Sequence, residues 1–222
     1  MFINIGSVGG EVTMRSSMLI VAAFLLGCLA GYKEWLPEWI LGEGVTMWVL
    51  YALMFQVGIG IGSDSRLKEI LRSLSPRMLL VPCATIIGTL LAVAIVSLGL
   101  QRWSLAEVMA VGSGFGYYSL SSILISSLKE ASIGVQAAAE LGTIALMANI
   151  FREMMTLTLA PLLVRWFSPL APICAGGATS MDVTLPIITR FSGRDWVFIA
   201  ILHGIVVDMS VPILVPMFCS LG

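Results

Sequence analysis

Apolar residues run through this chain in long blocks, and the polar positions mark where a block ends or is interrupted. The blocks are Ser17 to Tyr32, Val45 to Ile61, Met78 to Leu100, Val108 to Leu128, Ile133 to Phe167 and Trp196 to Phe218. A run of roughly 20 apolar residues is long enough to cross a hydrocarbon core as a helix. The first run, at about 16 residues, is short for this, so its ends extend or the bilayer thins around it. Lys33, Glu34, Glu38 and Glu43 form the turn after it, with Trp35 and Trp39 as interfacial anchors. Pro76 closes a polar segment that begins at Ser63, and Gln101 to Glu107 reads as a short outer turn.

The pattern breaks at two places. Gly112-Ser-Gly-Phe-Gly-Tyr-Tyr-Ser-Leu-Ser-Ser122 interrupts one block, and Cys174-Ala-Gly-Gly-Ala-Thr-Ser-Met-Asp-Val-Thr-Leu-Pro186, about 60 residues later, lies between the last two. Non-helical backbone at bilayer depth loses hydrogen bonds worth several kcal/mol each, so it is tolerated only against protein or a water-filled cavity. A pair of such interruptions is the sequence pattern of a transporter's midplane site. Close helix packing through small residues is the plainer reading of the first. Its Gly-Phe-Gly-Tyr-Tyr also echoes a potassium-filter loop, but such filters need four copies around an axis. Gly58-Ile-Gly-Ile-Gly62 has no strand-helix context for a nucleotide loop and reads as close helix packing.

Composition agrees with the pattern. The chain is 58% hydrophobic and 11% charged, which describes an all-α polytopic membrane protein forming a single transmembrane domain over 1–222. It divides into a tail (1–16), three spans (17–100) and a broken-helix core (108–222). A net charge of -1 without blocks of like charge excludes nucleic acid as a partner. Cys28, Cys83, Cys174 and Cys219 form no CxxC and read as small apolar fillers. The basic cluster Arg66, Lys68, Arg72 and Arg77 is cytoplasmic by the positive-inside rule. Alternating from there puts Arg15, Lys129, Arg190 and Arg194 inside and Lys33, Arg102 and Arg165 outside, with Arg152 within a span. The expectation is about seven crossings, two of them discontinuous helices entering from the outer face, with the N-terminus cytoplasmic and the C-terminus outside. An odd number is informative, because inverted repeats normally give an even total.

The charges inside apolar blocks are the candidate chemistry. Asp182 follows Gly176, Gly177, Thr179 and Ser180, where free backbone N–H groups and a resumed helix can hold an anionic group while the carboxylate holds a cationic one. An amino acid carries both. Asn149, Arg152 and Glu153 share one face of the long helix, and Glu140 points nearly opposite to Asn149. Each ionised residue at mid-span costs about 2.5–3.5 kcal/mol, so Arg152 and Glu153 read equally as an ion-pair network with other helices or as substrate groups. His203 and Asp208, five residues apart, are poorly placed for one face. His203 fits a satisfied core residue or a proton relay. One histidine and no Cys/His cluster exclude a metal site, no cofactor is implied, and nothing here describes an enzyme.

Four ordered motifs, Ser113-Gly-Phe-Gly-Tyr-Tyr-Ser-Leu-Ser-Ser-Ile-Leu124, Glu140-Leu-Gly-Thr-Ile-Ala145 with Asn149 and Arg152-Glu153, Gly177-Ala-Thr-Ser-Met-Asp-Val-Thr-Leu-Pro186, and His203-Gly204, resemble the lysine exporter family of the bacterial inner membrane. The resemblance implies a secondary transporter exporting L-lysine by proton antiport, on the inverted-repeat plan of cation/proton antiporters. It implies that Asp182 binds the substrate ammonium and afterwards takes up the proton. Gly114, Gly116, Ser119, Gly176, Gly177, Thr179 and Ser180 would cradle the carboxylate, and Tyr117 and Tyr118 would line the path. Single-chain members of that family carry roughly three further spans ahead of the region matching Ser17. This chain is therefore expected to be the larger piece of a split exporter with a small three-span membrane partner, and homo-oligomers stay open. Two alternatives remain: a sodium/proton or organic-anion carrier with the same broken helices, and a non-transporting membrane assembly subunit.

Overall fold

The computed structural model describes residues 76–221 together with isolated positions between Leu26 and Ile59. The spans expected at 17–32 and 45–61 and the basic segment after Ser63 lie outside the described residues. Two compact units, Met1–Val49 and Leu50–Gly222, divide the chain, and all elements from Pro76 onward belong to the second.

Every regular element among the described residues is helical. In chain order they are α1 (Pro76–Ser97), α2 (Leu105–Gly112), α3 (Tyr118–Ile133), α4 (Val135–Trp166), α5 (Ala171–Gly176), a 3-10 turn (Gly177–Met181), α6 (Leu185–Ser192), a second 3-10 turn (Arg194–Trp196) and α7 (Val197–Leu221). Proline punctuates the starts of three of them: Pro76 opens α1, and Pro172 and Pro186 stand in the first turns of α5 and α6, where a missing N–H loses no helical bond. Segments Arg77–Ser97 and Arg194–Leu221 are long and apolar enough to cross a membrane. α4, at 32 residues, is about 48 Å long.

α2 and α3 form a hairpin rather than one broken rod. Lys129 Nζ near the end of α3 lies 3.4 Å from Glu107 Oε1 near the start of α2, and Arg102, just before α2, pairs with Glu140 near the start of α4. Two helices running on in one direction would hold residues 107 and 129 roughly 30 Å apart at about 1.5 Å per residue. The reversal occurs at Phe115 (φ 43°) and Gly116 (φ 99°), both in the left-handed half of backbone space. α5 and α6 repeat the plan. Ile173 and Ile188, one turn from their respective ends, pack with Ala200 of α7 as a fully buried cluster, against which Leu170 before α5 and Trp196 after α6 also rest.

The two hairpins approach from opposite ends of α4. Glu140, near the start of α4, marks the open end of the first hairpin, whereas the second begins just after α4 ends at Trp166. α7 runs antiparallel to α4: Ala200 packs in the second hairpin, while Asp208, further along α7, lies at the same cavity as Glu153 near the middle of α4. α1 lies alongside α7, with Met78 against the Ile201, Leu202 and Ile205 cluster and Thr85 beside His203.

The all-helical expectation holds, and so does the long helix expected over 133–167. The direction of the interrupted segments differs. Both turn back instead of crossing, and they open at opposite ends rather than both at the outer face. Lys129, expected in a cytoplasmic loop, is fully buried against Glu107, at the same end as Arg102. Block length cannot distinguish a through-helix from a hairpin of the same contour length.

Candidate functional site

The tips of the hairpins meet near residues 149–152 of α4, its midpoint. The Ala178 N–H donates to the Phe115 carbonyl at 2.9 Å, so the backbone of one tip bonds to the backbone of the other. Gly177 makes this possible: at φ 63° it sits where a side chain is strained, and a Cβ there would lie 2.0 Å from the Phe115 oxygen. At Gly116 (φ 99°) a Cβ would meet the Gly176 carbonyl at 2.9 Å. Gly116 and Gly177, both expected in the cradle, are thus required first for close approach of two backbone segments.

α4 pins both tips through side chains one turn apart. Asn149 Oδ1 accepts from the Gly116 N–H at 2.7 Å, and its Nδ2 donates to the Ala145 carbonyl at 2.8 Å and to Ser121 Oγ at 3.3 Å. Arg152 Nε donates to the Ala175 carbonyl and its guanidinium Nη2 to the Cys174 carbonyl, both at 2.8 Å. These carbonyls belong to the last turn of α5, where a cation is favoured by both the unpaired oxygens and the helix dipole. Arg152 therefore serves the fold of the second tip and does not line the cavity with Glu153. Asn149→Asp replaces two donors with acceptors facing a buried carbonyl and a hydroxyl. It is expected to lower stability by about 2–4 kcal/mol, at roughly 1–3 kcal/mol per buried group left unsatisfied, read as a lowered unfolding temperature of the purified protein.

Beside the crossing lies a cavity of 310 Å³, within the usual range of about 300–1,000 Å³ for small-molecule sites. Its walls are the tips and the facing turns of α4 and α7. Glu153, Asp182 and Asp208 bring three carboxylates to it, Tyr117, Tyr118 and Ser119 bring the start of α3, and among the described residues no basic side chain lines it. The N-terminus of α3 has no side-chain cap, so its N–H groups and dipole present positive potential to the same space. Asp182 is exposed, and its Oδ1 accepts from the Val183 N–H at 2.6 Å. Glu153 Oε2 is buried and has no hydrogen-bond partner among the described residues.

The expected residues sort into three groups. Gly116, Tyr117, Tyr118, Ser119, Glu153, Thr179 and Asp182 line the cavity. Gly114, Asn149, Arg152, Gly176, Gly177 and Ser180 build the crossing beside it. Glu140 and His203 stand apart. Glu140 pairs with Arg102 at the open end of the first hairpin, where both are solvent-exposed and the pair adds little to stability. His203, fully buried, brackets α1 to the second tip, with Thr85 Oγ1 2.9 Å from Nε2 and Ser180 Oγ 3.0 Å from Nδ1. Asp208 is the lining residue that spacing along its own helix passes over. An acid within a 25-residue apolar helix is itself the signal, because such residues rarely persist without a functional partner.

Comparison with known proteins agrees with the motifs. A family model described as lysine exporter LysO matches residues 21–219. A Haemophilus influenzae protein named "Putative lysine exporter" is 31% identical over 206 residues, covering 90% of this chain and 97% of that protein. The Escherichia coli lysine exporter LysO is 34% identical over 175 residues, covering 78% of this chain and 54% of that protein. No solved structure matches. With the family model spanning nearly the whole sequence, the chain belongs to the lysine exporter family.

Proposed function

We propose that this chain is a secondary transporter exporting L-lysine and close analogues across the bacterial inner membrane in exchange for protons, with the tip cavity as its substrate site. The observation that carries the reading is the composition of that cavity among the described residues: three carboxylates, no basic side chain and a helix N-terminus without a side-chain cap. Lysine has two ammonium groups and one carboxylate. The acids suit the first and the start of α3 suits the second. Asp182, at the exposed side, meets the incoming ammonium.

Charge distribution orients the molecule. Among the described residues Arg77, Arg165, Arg190 and Arg194 fall at the end where the second hairpin opens, whereas Arg102 and the buried Lys129 stand at the other. By the positive-inside rule the second hairpin opens to the cytoplasm, the first opens outward, and α7 ends outside. Each hairpin then gives a half-depth route to the same midplane site, and small movements of either tip expose it to one side at a time. Proton exchange answers the energetics. Export of a cation against an inside-negative potential costs about 2.3 kcal/mol per 100 mV, and an inward proton for an outward lysine cation moves no net charge.

The test is lysine counterflow in proteoliposomes containing the purified chain under an imposed proton gradient. Labelled lysine should accumulate against unlabelled lysine, and net flux should follow the proton gradient. Sodium-dependent flux with no response to lysine would replace this reading with a sodium-coupled carrier. Absence of flux of either kind would support an assembly role instead.

A further inference from the structure

Among the three acids of the cavity, Asp208 differs from Asp182 in kind. Its side chain is 5% exposed and it lines the cavity. Among the described residues no hydrogen bond or ion pair reaches its carboxyl, and it is buried as a whole residue, whereas Glu153, which keeps one carboxylate oxygen buried without a hydrogen-bond partner, is only half-buried. Asp182, by contrast, is exposed and accepts a backbone hydrogen bond. An ionised carboxylate that is buried and unpaired is too costly to persist, and such a group holds its proton until a cation arrives.

We infer that Asp208, rather than Asp182, carries the exchanged proton: its carboxyl is protonated when the cavity is empty and gives the proton up when a substrate ammonium occupies its place. This rests on the lysine-transport reading. The charge balance is simple. The empty site holds a neutral carboxylic acid. Entry of one ammonium leaves a carboxylate and a cation side by side, and the proton leaves through the cavity mouth to water. Substrate and proton compete for one group, so neither rides with the other and the cycle is an exchange.

The surroundings support this assignment. Among the described residues, the titratable groups at the cavity besides Asp208 are Tyr117 and Tyr118 at the start of α3, Glu153 on α4 and Asp182 in the second tip. None of them is a cation able to hold Asp208 ionised. On α7 itself, His203 is held at both nitrogens by Thr85 and Ser180. Arg152 is committed to the carbonyls of α5, and on α2 Glu107 pairs with Lys129 at the far end of its hairpin. α1 brings Thr85 toward this region but no charged side chain among the residues packed there.

Calorimetric titration of lysine into the purified full chain, repeated in buffers of different ionisation enthalpy, counts the protons released on binding. The expected result at mildly acidic pH is about one proton per lysine, with affinity falling about tenfold for each unit by which the pH is lowered. In Asp208→Asn, release and pH dependence both disappear. If that variant binds too weakly to titrate, Asp208→Glu, which restores a carboxylate, should restore binding together with release. Lysine binding without proton release in the unmodified chain, undiminished release from Asp208→Asn, or Asp208→Glu that binds without release would each overturn the assignment while leaving lysine transport intact. Lysine binding that displaces labelled sodium instead of a proton would do the same. No lysine binding at all would overturn the transport reading and the assignment that rests on it.

Discussion

Gly177→Ala is expected to stop transport and to loosen the molecule at its centre. Residue 177 has φ 63° and ψ -129°, a region that costs a residue bearing a Cβ about 1–3 kcal/mol. The added methyl also points at the Phe115 carbonyl oxygen from 2.0 Å. Backbone cannot swing aside like the end of a long side chain, so the tips must separate. Separation breaks the Ala178–Phe115 hydrogen bond, worth about 1–3 kcal/mol when its groups stay buried and unpaired. The sum of about 2–6 kcal/mol is a large part of the stability of an ordinary domain. Gly193→Ala is the control. That glycine also has positive φ, at 100°, but nothing lies within 4 Å of its Cβ position, so the variant carries backbone strain alone. Thermal unfolding in detergent and proteoliposome flux should fall far more in Gly177→Ala. Equal behaviour of the two variants would show that tip contact is not what Gly177 provides.

The elements of this fold are legible in the chain to different degrees, and the differences have physical causes. The long helix is read almost to the residue, as α4 covers Val135–Trp166 where the apolar block predicts 133–167. Gly134, at φ 86°, closes it at one end. The interruptions are visible because glycine clusters and a proline punctuate otherwise apolar runs. Their direction is invisible, since a hairpin and a broken rod contain the same residues in the same order. Only pairs distant in sequence, such as Glu107 with Lys129, distinguish the two. The faces of α4 were also legible, because a period of 3.6 residues brings Asn149, Arg152 and Glu153 together. What Asn149 and Arg152 bind was not, because their partners are backbone groups of other segments and backbone carries no sequence signature. Asp208 shows a third case. Comparing it only with His203 on the same helix hides that its cavity neighbours come from α3, α4 and the second tip.

That division of labour bears on what the carboxylates do. Arg152 is the cation closest in sequence to Glu153, yet it turns to the carbonyls ending α5. Had it faced the cavity, it would have neutralised an acid and repelled a cationic substrate. With Arg152 turned away, the described residues bring carboxylates and no basic side chain to the cavity, an arrangement that suits a cationic substrate. The same residue thereby shapes the second tip and leaves the cavity acidic, although it never lines it.

Asp182→Asn follows from this electrostatics and is expected to reduce lysine export to background without removing the protein from the membrane. The substitution keeps the size of the side chain and an oxygen able to accept from the Val183 N–H, the bond seen at 2.6 Å, so the second tip should keep its conformation. The negative charge is lost at the exposed side of the cavity, where the ammonium first arrives. A hydrogen bond to a charged group contributes about 1.5–3 kcal/mol, equivalent to roughly 10- to 150-fold in affinity at 1.4 kcal/mol per tenfold. Asp182 is exposed, so water screens part of this, and the lower half of the range is the fair expectation for binding alone. Transport suffers further because the same charge has to draw lysine away from water on each turnover. The measurement is lysine flux per mole of protein in proteoliposomes, with membrane abundance and unfolding temperature as controls. Full flux in Asp182→Asn would remove Asp182 from the substrate path and leave Glu153 and Asp208 as the cation-binding acids. Unstable protein would assign Asp182 to the fold of the tip, and a stable protein without flux is the result this electrostatic account requires.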